Sequence, residues 1–290
     1  MKTRKLVTIG AGLGLLSVLA SLPVHDVVHA QGNTSKEFVA PMVFQAAGPT
    51  AASIQSSVDQ YREALGQPDN RNAGAQQSGS GHREINWDSG SPTNQNTVVS
   101  TTPFAGFQVT RGALFTTPDG TGFVQAPAIA DPVLFPPGGL AGLFNNPTYG
   151  TIFSPFSRQR LFSAIGGKIT DVDFFLPGGG NIPATVTGFG AVFTDVDQPD
   201  GSGPGEKRGN RKASTLIEYF GPDGGLLFSS FAPASPGSGS LSFFGIVFSD
   251  ARIARVRITS GNTAPGPDDD GKQDIVMMDD FIYGEPKALP

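Results

Sequence analysis

The chain has 290 residues, 38% of them hydrophobic, with a formal net charge of −5 and no cysteine. Gly (39) and Pro (24) punctuate short apolar runs, and Phe (22) far outnumbers Tyr (4) and Trp (1), which predicts an all-β protein rich in turns rather than a helical or α/β one. Lack of cysteine excludes thiol chemistry, disulfides and thiolate metal sites, and the acidic balance argues against nucleic acid and anionic lipid as partners.

The N-terminus reads as a signal peptide over residues 1–30. "MKTRK" is a basic start, "LVTIGAGLGLLSVLASL" an apolar run, and Val28 and Ala30 place small side chains where cleavage between Ala30 and Gln31 requires them. The run is marginal as an anchor, which needs about 17–25 apolar residues. "TRKL" lacks a twin arginine, so ordinary secretion is expected, to the extracellular space, periplasm or cell surface, with no membrane span after cleavage. A chain exported without disulfides must stabilise itself through its core, and its length is ample for that.

Residues 31–81 read as a lead-in. "EFVAPMVFQ" suits a short strand, and "PTAASIQSSVDQYREALG" a helix whose Ile54, Val58, Tyr61 and Leu65 form one narrow stripe between a Thr50 cap and a Gly66 stop. Whether that helix docks is left open by so narrow a stripe. "QPDNRNAGAQQSGSG" reads as a flexible linker.

From His82 onward strands dominate. They are predicted at 83–87, 96–101, 106–110, 113–117, 122–126, 150–154, 160–164, 168–176, 183–196, 214–220, 225–230, 241–248, 253–260 and 273–286. The two glycines within 183–196 predict a bend or bulge. "IARVRITS" alternates Ile253, Arg255, Arg257 and Thr259 against Ala254, Val256 and Ile258, a strand with one wet, basic face. Together these predict a two-sheet antiparallel β-sandwich of jelly-roll type over 82–286, preceded by one helix and followed by a tail at 287–290.

The segments "REINWD", "RGALFTTPDGTGFVQA", "ATVTGFGAVFTDVD", "LSFFGIVFSDARIARVRITSG" and "DIVMMDDFIYG" resemble uncharacterised secreted bacterial β-sandwich proteins, many of which carry a C-terminal surface-sorting tail. This chain stops at "GEPKALP" without one. The "DDFIY" strand also resembles the last strand of jelly-roll carbohydrate-binding modules, which implies an aspartate there helping to hold a structural calcium.

The closing stretch "QDIVMMDDFIYGEP" raises the sharpest question, since two adjacent aspartates interrupt an otherwise apolar strand. Strict alternation puts Asp279 with Met277 and Phe281 on one face and Asp280 with Met278 and Ile282 on the other. Both faces look buried, so at least one carboxylate needs a partner. If "REINWD" lies beside this strand, Glu84 and Asp88 approach Asp279 or Asp280, and a calcium could staple them. The competing account is an ion pair with Arg83, Arg255 or Arg257, or backbone N–H donors.

Calcium is also suggested by "DVDQPDGSGPGE", with Asp195, Asp197, Asp200 and Glu206 in a glycine-rich loop, and by the acidic turn at 268–274; a solvated loop that keeps sheet edges soluble is the simpler account of each taken alone. His82, the lone histidine after the signal segment, is expected to be an exposed linker residue, which leaves no His-based triad. Six glutamates remain for paired-carboxylate chemistry, of which only Glu84 and Glu218 fall on core strands. For sugar recognition Tyr149 is the aromatic placed on a loop, beside Asn145 and Asn146, whereas Trp87 has the phase of a core residue. The expected function is a non-catalytic module binding an extracellular ligand such as polysaccharide or cell-surface glycan, with a structural calcium. The alternatives are a polysaccharide-active enzyme using Asp/Glu and a self-associating structural protein.

Overall fold

The structure, a computed structural model, describes residues 40–75, 80–88, 96–129, 138–197, 215–267 and 273–289. The signal segment with Ala30 and Gln31, Asp200 and Glu206 of the first acidic loop, and 268–272 of the second lie outside the described residues.

In chain order the elements are β1 (Met42–Gly48), α1 (Ala51–Leu65), β2 (His82–Ile85), β3 (Val98–Thr101), β4 (Phe104–Phe107), α2 (Gln108–Arg111), β5 (Ala113–Thr116), β6 (Gly122–Pro127), α3 (Gly139–Leu143) and α4 (Tyr149–Ile152). There follow β7 (Arg160–Ile165), β8 (Ile169–Phe174), β9 (Ala184–Thr185), β10 (Gly188–Thr194), β11 (Leu216–Phe220), β12 (Leu226–Phe231), β13 (Leu241–Val247), β14 (Arg255–Thr259), β15 (Met277–Gly284) and β16 (Lys287–Ala288).

These strands build an all-β, two-sheet antiparallel sandwich. One sheet runs β1-β13-β10-β15-β7-β6-β3, with β2 also paired to β15, and the other runs β12-β11-β14-β8-β5-β4. Between them lies an aromatic core. Trp87 stacks on Phe162 at 3.7 Å and meets Phe115, Phe107 and Phe281 edge-on. Offset and edge-on aromatic pairs add about 0.5–1.5 kcal/mol each beyond their burial, which explains how a cysteine-free chain holds together.

The predicted lead-in belongs to the sandwich. β1 is an edge strand of the larger sheet, pairing with β13 from Met42↔Val247 to Gly48↔Leu241. The helix stripe Ile54, Val58, Tyr61 and Leu65 is buried against Val192, Phe243, Val247 and Ile282, so α1 docks. The slot that receives it is cut by two glycines, Gly190 and Gly245, which are partners across β10 and β13. A Cβ at either would stand 2.9 Å from the Tyr61 ring. The glycine of the long strand therefore serves close approach, while the chain breaks earlier, between β9 and β10.

Three further expectations are corrected. Residues 108–111 and 149–152 are helical turns rather than strand, the first ending on Gly112 at φ 73° and the second preceded by Asn146, whose Oδ1 accepts the Thr148 N–H at 3.1 Å. Lys287 and Ala288 of the tail form β16, which pairs with β9. "IARVRITS" alternates as expected over β14, but Ile253, expected on the basic face, is buried with Val256 and Ile258 in the core; Arg257 forms a bidentate pair with Asp171 of β8 at 2.7 Å to each oxygen.

Candidate functional site

The paired aspartates sit on a β-bulge. Along β10 the register passes from Ala191 to Phe193, two residues, while along β15 it passes from Phe281 to Met278, three. Asp279 and Asp280 thus oppose a single residue, and alternation breaks. Met278 and Phe281 both join the core between the sheets, whereas both carboxylates reach Ser157. The strict two-face reading of this strand is overturned by that extra residue.

The segment 156–160 is strung between carboxylates. Asp279 Oδ2 accepts the N–H groups of Phe156 at 2.6 Å and Ser157 at 3.2 Å, and its own carbonyl accepts Trp87 Nε1–H at 2.9 Å. Asp88 Oδ1 accepts the N–H groups of Gln159 at 3.3 Å and Arg160 at 3.0 Å. Asp280 accepts the Ser157 hydroxyl on Oδ1, with Arg62 Nη2 at 3.8 Å from Oδ2. Burial, followed by the neighbouring Asp280 charge, holds the Asp279 carboxyl well above the usual carboxylate range. Burial also pushes Asp280 up to about 6, with the charge of Glu84 adding to it.

β2 runs antiparallel to β15, pairing Glu84 with Ile282 and Arg83 with Tyr283, so the first strand after the linker does lie beside the closing strand. Glu84 then meets α1, and Arg62 grips it bidentately, Nε at 2.6 Å and Nη2 at 2.9 Å. His82 is not exposed: its Nδ1 lies 2.7 Å from the Gly66 carbonyl and its Nε2 3.0 Å from Glu84. Burial opposes charge on Glu84, but the hydrogen bonds of His82 and Arg62 outweigh it and pull the carboxyl down to about 2. Burial likewise disfavours the imidazolium, and Glu84 with the Gly66 carbonyl outweighs it and raises His82.

Where α1, β2 and β15 meet, a cleft of about 290 Å³ opens, lined by Arg62, Asp69, Arg71, Glu84, Asn86, Arg111, Ser157 and Asp280. Arg111 is fixed by a hydrogen bond to the Glu84 carbonyl, another to Asn72 Oδ1 at 2.6 Å, and by lying over the Phe107 ring. Three guanidinium groups face three carboxyl groups there, so the lining is polar and close to neutral in sum.

Of the sequence-predicted residues, Glu84 and Asp280 meet in this cleft, and Asp279 and Asp88 lie behind it on backbone donors. The ion-pair partner is Arg62, whereas Arg83 pairs with Glu285 and Arg255 and Arg257 face Asp171 in the other sheet. Glu84 and Glu218 lie in different sheets and form no dyad. Tyr149 is fully buried, donating its hydroxyl to the Gly266 carbonyl at 2.9 Å, and Asn146 is spent on Thr148, so neither offers a sugar platform; Asn145 is exposed. Asp195, at φ 68°, and Asp197 follow the end of β10. Among the described residues no three Asp, Glu or His side chains converge as a metal-ligand group, and no helix is long and apolar enough to cross a membrane.

Sequence reasoning missed Arg62, Arg71, Arg111, Asp69 and Ser157. Only Arg62 carried a signal, four residues after Val58 and beside Tyr61 at the margin of the helix stripe. Comparison with protein-family models, curated proteins and solved structures finds no match.

Proposed function

We propose that this chain is an exported, non-catalytic binding module that takes a short, neutral carbohydrate of a polysaccharide or cell-surface glycan in the cleft between α1, β2 and β15, and that it carries a structural calcium. The observation that supports the sugar reading is the cleft lining, with three guanidinium groups, three carboxyl groups, an amide and a hydroxyl converging in about 290 Å³. Such groups bond hydroxyls in pairs, and their balanced charge favours a neutral polyol over a strongly charged ligand. The volume stands at the small end of ligand pockets, which suits one or two sugar rings. Export is supported by the basic start, the apolar run and the Val28–Ala30 exit of the N-terminus.

The test is a glycan array followed by titration calorimetry on the hits, with Asn86→Ala and Arg71→Ala as cleft variants. Binding weakened at least tenfold by both variants is the expected result, and binding that neither alters removes the cleft from the proposal. A second reading, a polysaccharide-active enzyme, is favoured by one feature: Glu84 stays ionised while Asp280 holds its proton up to about pH 6, and both contact Arg62. Reducing-sugar release abolished by Glu84→Gln would select it over the binding module.

A further inference from the structure

The described ends of the two acidic segments, Asp197 and Asp274, lie at one end of the larger sheet. β10 and β15 are antiparallel neighbours whose last registered pair at this end is Thr194↔Met277. Asp197 lies three residues beyond Thr194, and Asp274 three residues before Met277. Continuing the register sets them opposite one another at the end of the sheet.

Asp274 is held from behind. Its N–H donates to Asn262 Oδ1 at 2.9 Å, and its carbonyl accepts the Asn262 N–H at 2.9 Å. Gly261 presses so close that a Cβ there would fall 1.9 Å from the Asp274 carbonyl oxygen. The side chain is 5% exposed, and neither carboxyl oxygen has a hydrogen-bond partner. Burial pushes the group up to about 7; the nearby Asp197 backbone N–H lowers it and the Asp197 carboxylate raises it. Asp197 itself accepts only the Gly237 N–H among the described residues, at 3.2 Å on Oδ1.

A buried carboxyl whose oxygens lack hydrogen-bond partners, near a second carboxylate, is relieved either by keeping its proton or by a cation held between the two, and the cation also neutralises Asp197. We infer that Asp197 and Asp274 bind a calcium ion that clamps the ends of β10 and β15. The donors are hard oxygens with neither imidazole nor thiolate, which excludes a zinc preference, and the irregular placement suits calcium better than the strict octahedron of magnesium. Two carboxylates leave the remaining calcium positions to water. This inference rests on the reading that the module carries a structural calcium and gives that ion its position.

The test is titration of calcium chloride into chelator-treated full-length chain by calorimetry, with melting curves recorded in calcium and in chelator. One ion should bind, the melting temperature should rise with calcium as ligand linkage requires, and Asp274→Asn should weaken binding at least tenfold. Asp197→Asn should do the same, and because its side chain is less buried it carries the test if Asp274→Asn fails to fold. Calcium binding that is unchanged in both variants overturns this site while leaving the structural ion in place. No binding to the unaltered chain overturns both. Equal stabilisation by magnesium overturns the assignment to calcium.

Discussion

Glu84 is held ionised by its pair with Arg62 and its hydrogen bond with His82, and its effect on stability has a definite sign. A carboxyl lowered in the fold from its ordinary value to about 2 contributes stability that is full above the ordinary value and fades as pH falls toward 2. Glu84→Gln should therefore cost about 2 kcal/mol at pH 7 in urea unfolding, with the difference from the unaltered chain shrinking below about pH 4. Asp280 behaves oppositely. Its carboxyl is raised to about 6, so the fold favours the protonated form, and stability is lost as pH rises through that value. Asp280→Asn should gain about 1 kcal/mol at pH 7 and flatten the slope between about pH 4 and 6; a variant less stable than the parent at pH 7 would refute this sign.

At the scale of elements, α1 depends on a notch more than on its own propensity. Tyr61 meets Phe44 and Phe243 edge-on and rests over Gly190 and Gly245. Gly190→Ala should push the ring out and cost about 1–3 kcal/mol, read from melting curves together with earlier proteolysis within α1. Much of this level was legible in the sequence. The stripe Ile54, Val58, Tyr61 and Leu65 named the buried face, and the phase of "REINWD" placed Trp87 in the core. The docking surface was not legible, because it needs two glycines from strands far apart in the chain to come into register. The bulge at Asp279 and Asp280 was equally hidden, since a period of two describes only an unbroken ladder. The candidate site suffered most: Glu84 and Asp280 stood out as misplaced charges, whereas Arg62, Arg111 and Ser157 reach them only through tertiary contact.

For the whole molecule, Arg83 is the knot. Fully buried, it pairs with Glu285 through Nε at 2.6 Å and Nη2 at 2.8 Å. The same guanidinium donates to the carbonyls of Arg71, Ala73, Ala75 and Thr110. Residues 71–75 of the segment read as a flexible linker are thereby tied to β2 and to the end of β15. Arg83→Ala would strand Glu285 in the interior, and should cost about 3–5 kcal/mol and expose 71–75 to limited proteolysis; an unchanged cleavage pattern would show that other contacts suffice.

The chain has one tryptophan, and its indole sits directly behind the cleft. Trp87 follows the cleft residue Asn86 and donates Nε1–H to the carbonyl of Asp279, next to Asp280. Its emission is an intrinsic optical gauge, free of competing fluorophores of its kind. Any occupant that shifts Asn86 or the bulge should change the wavelength or yield of that light, so screening for what enters needs no dye.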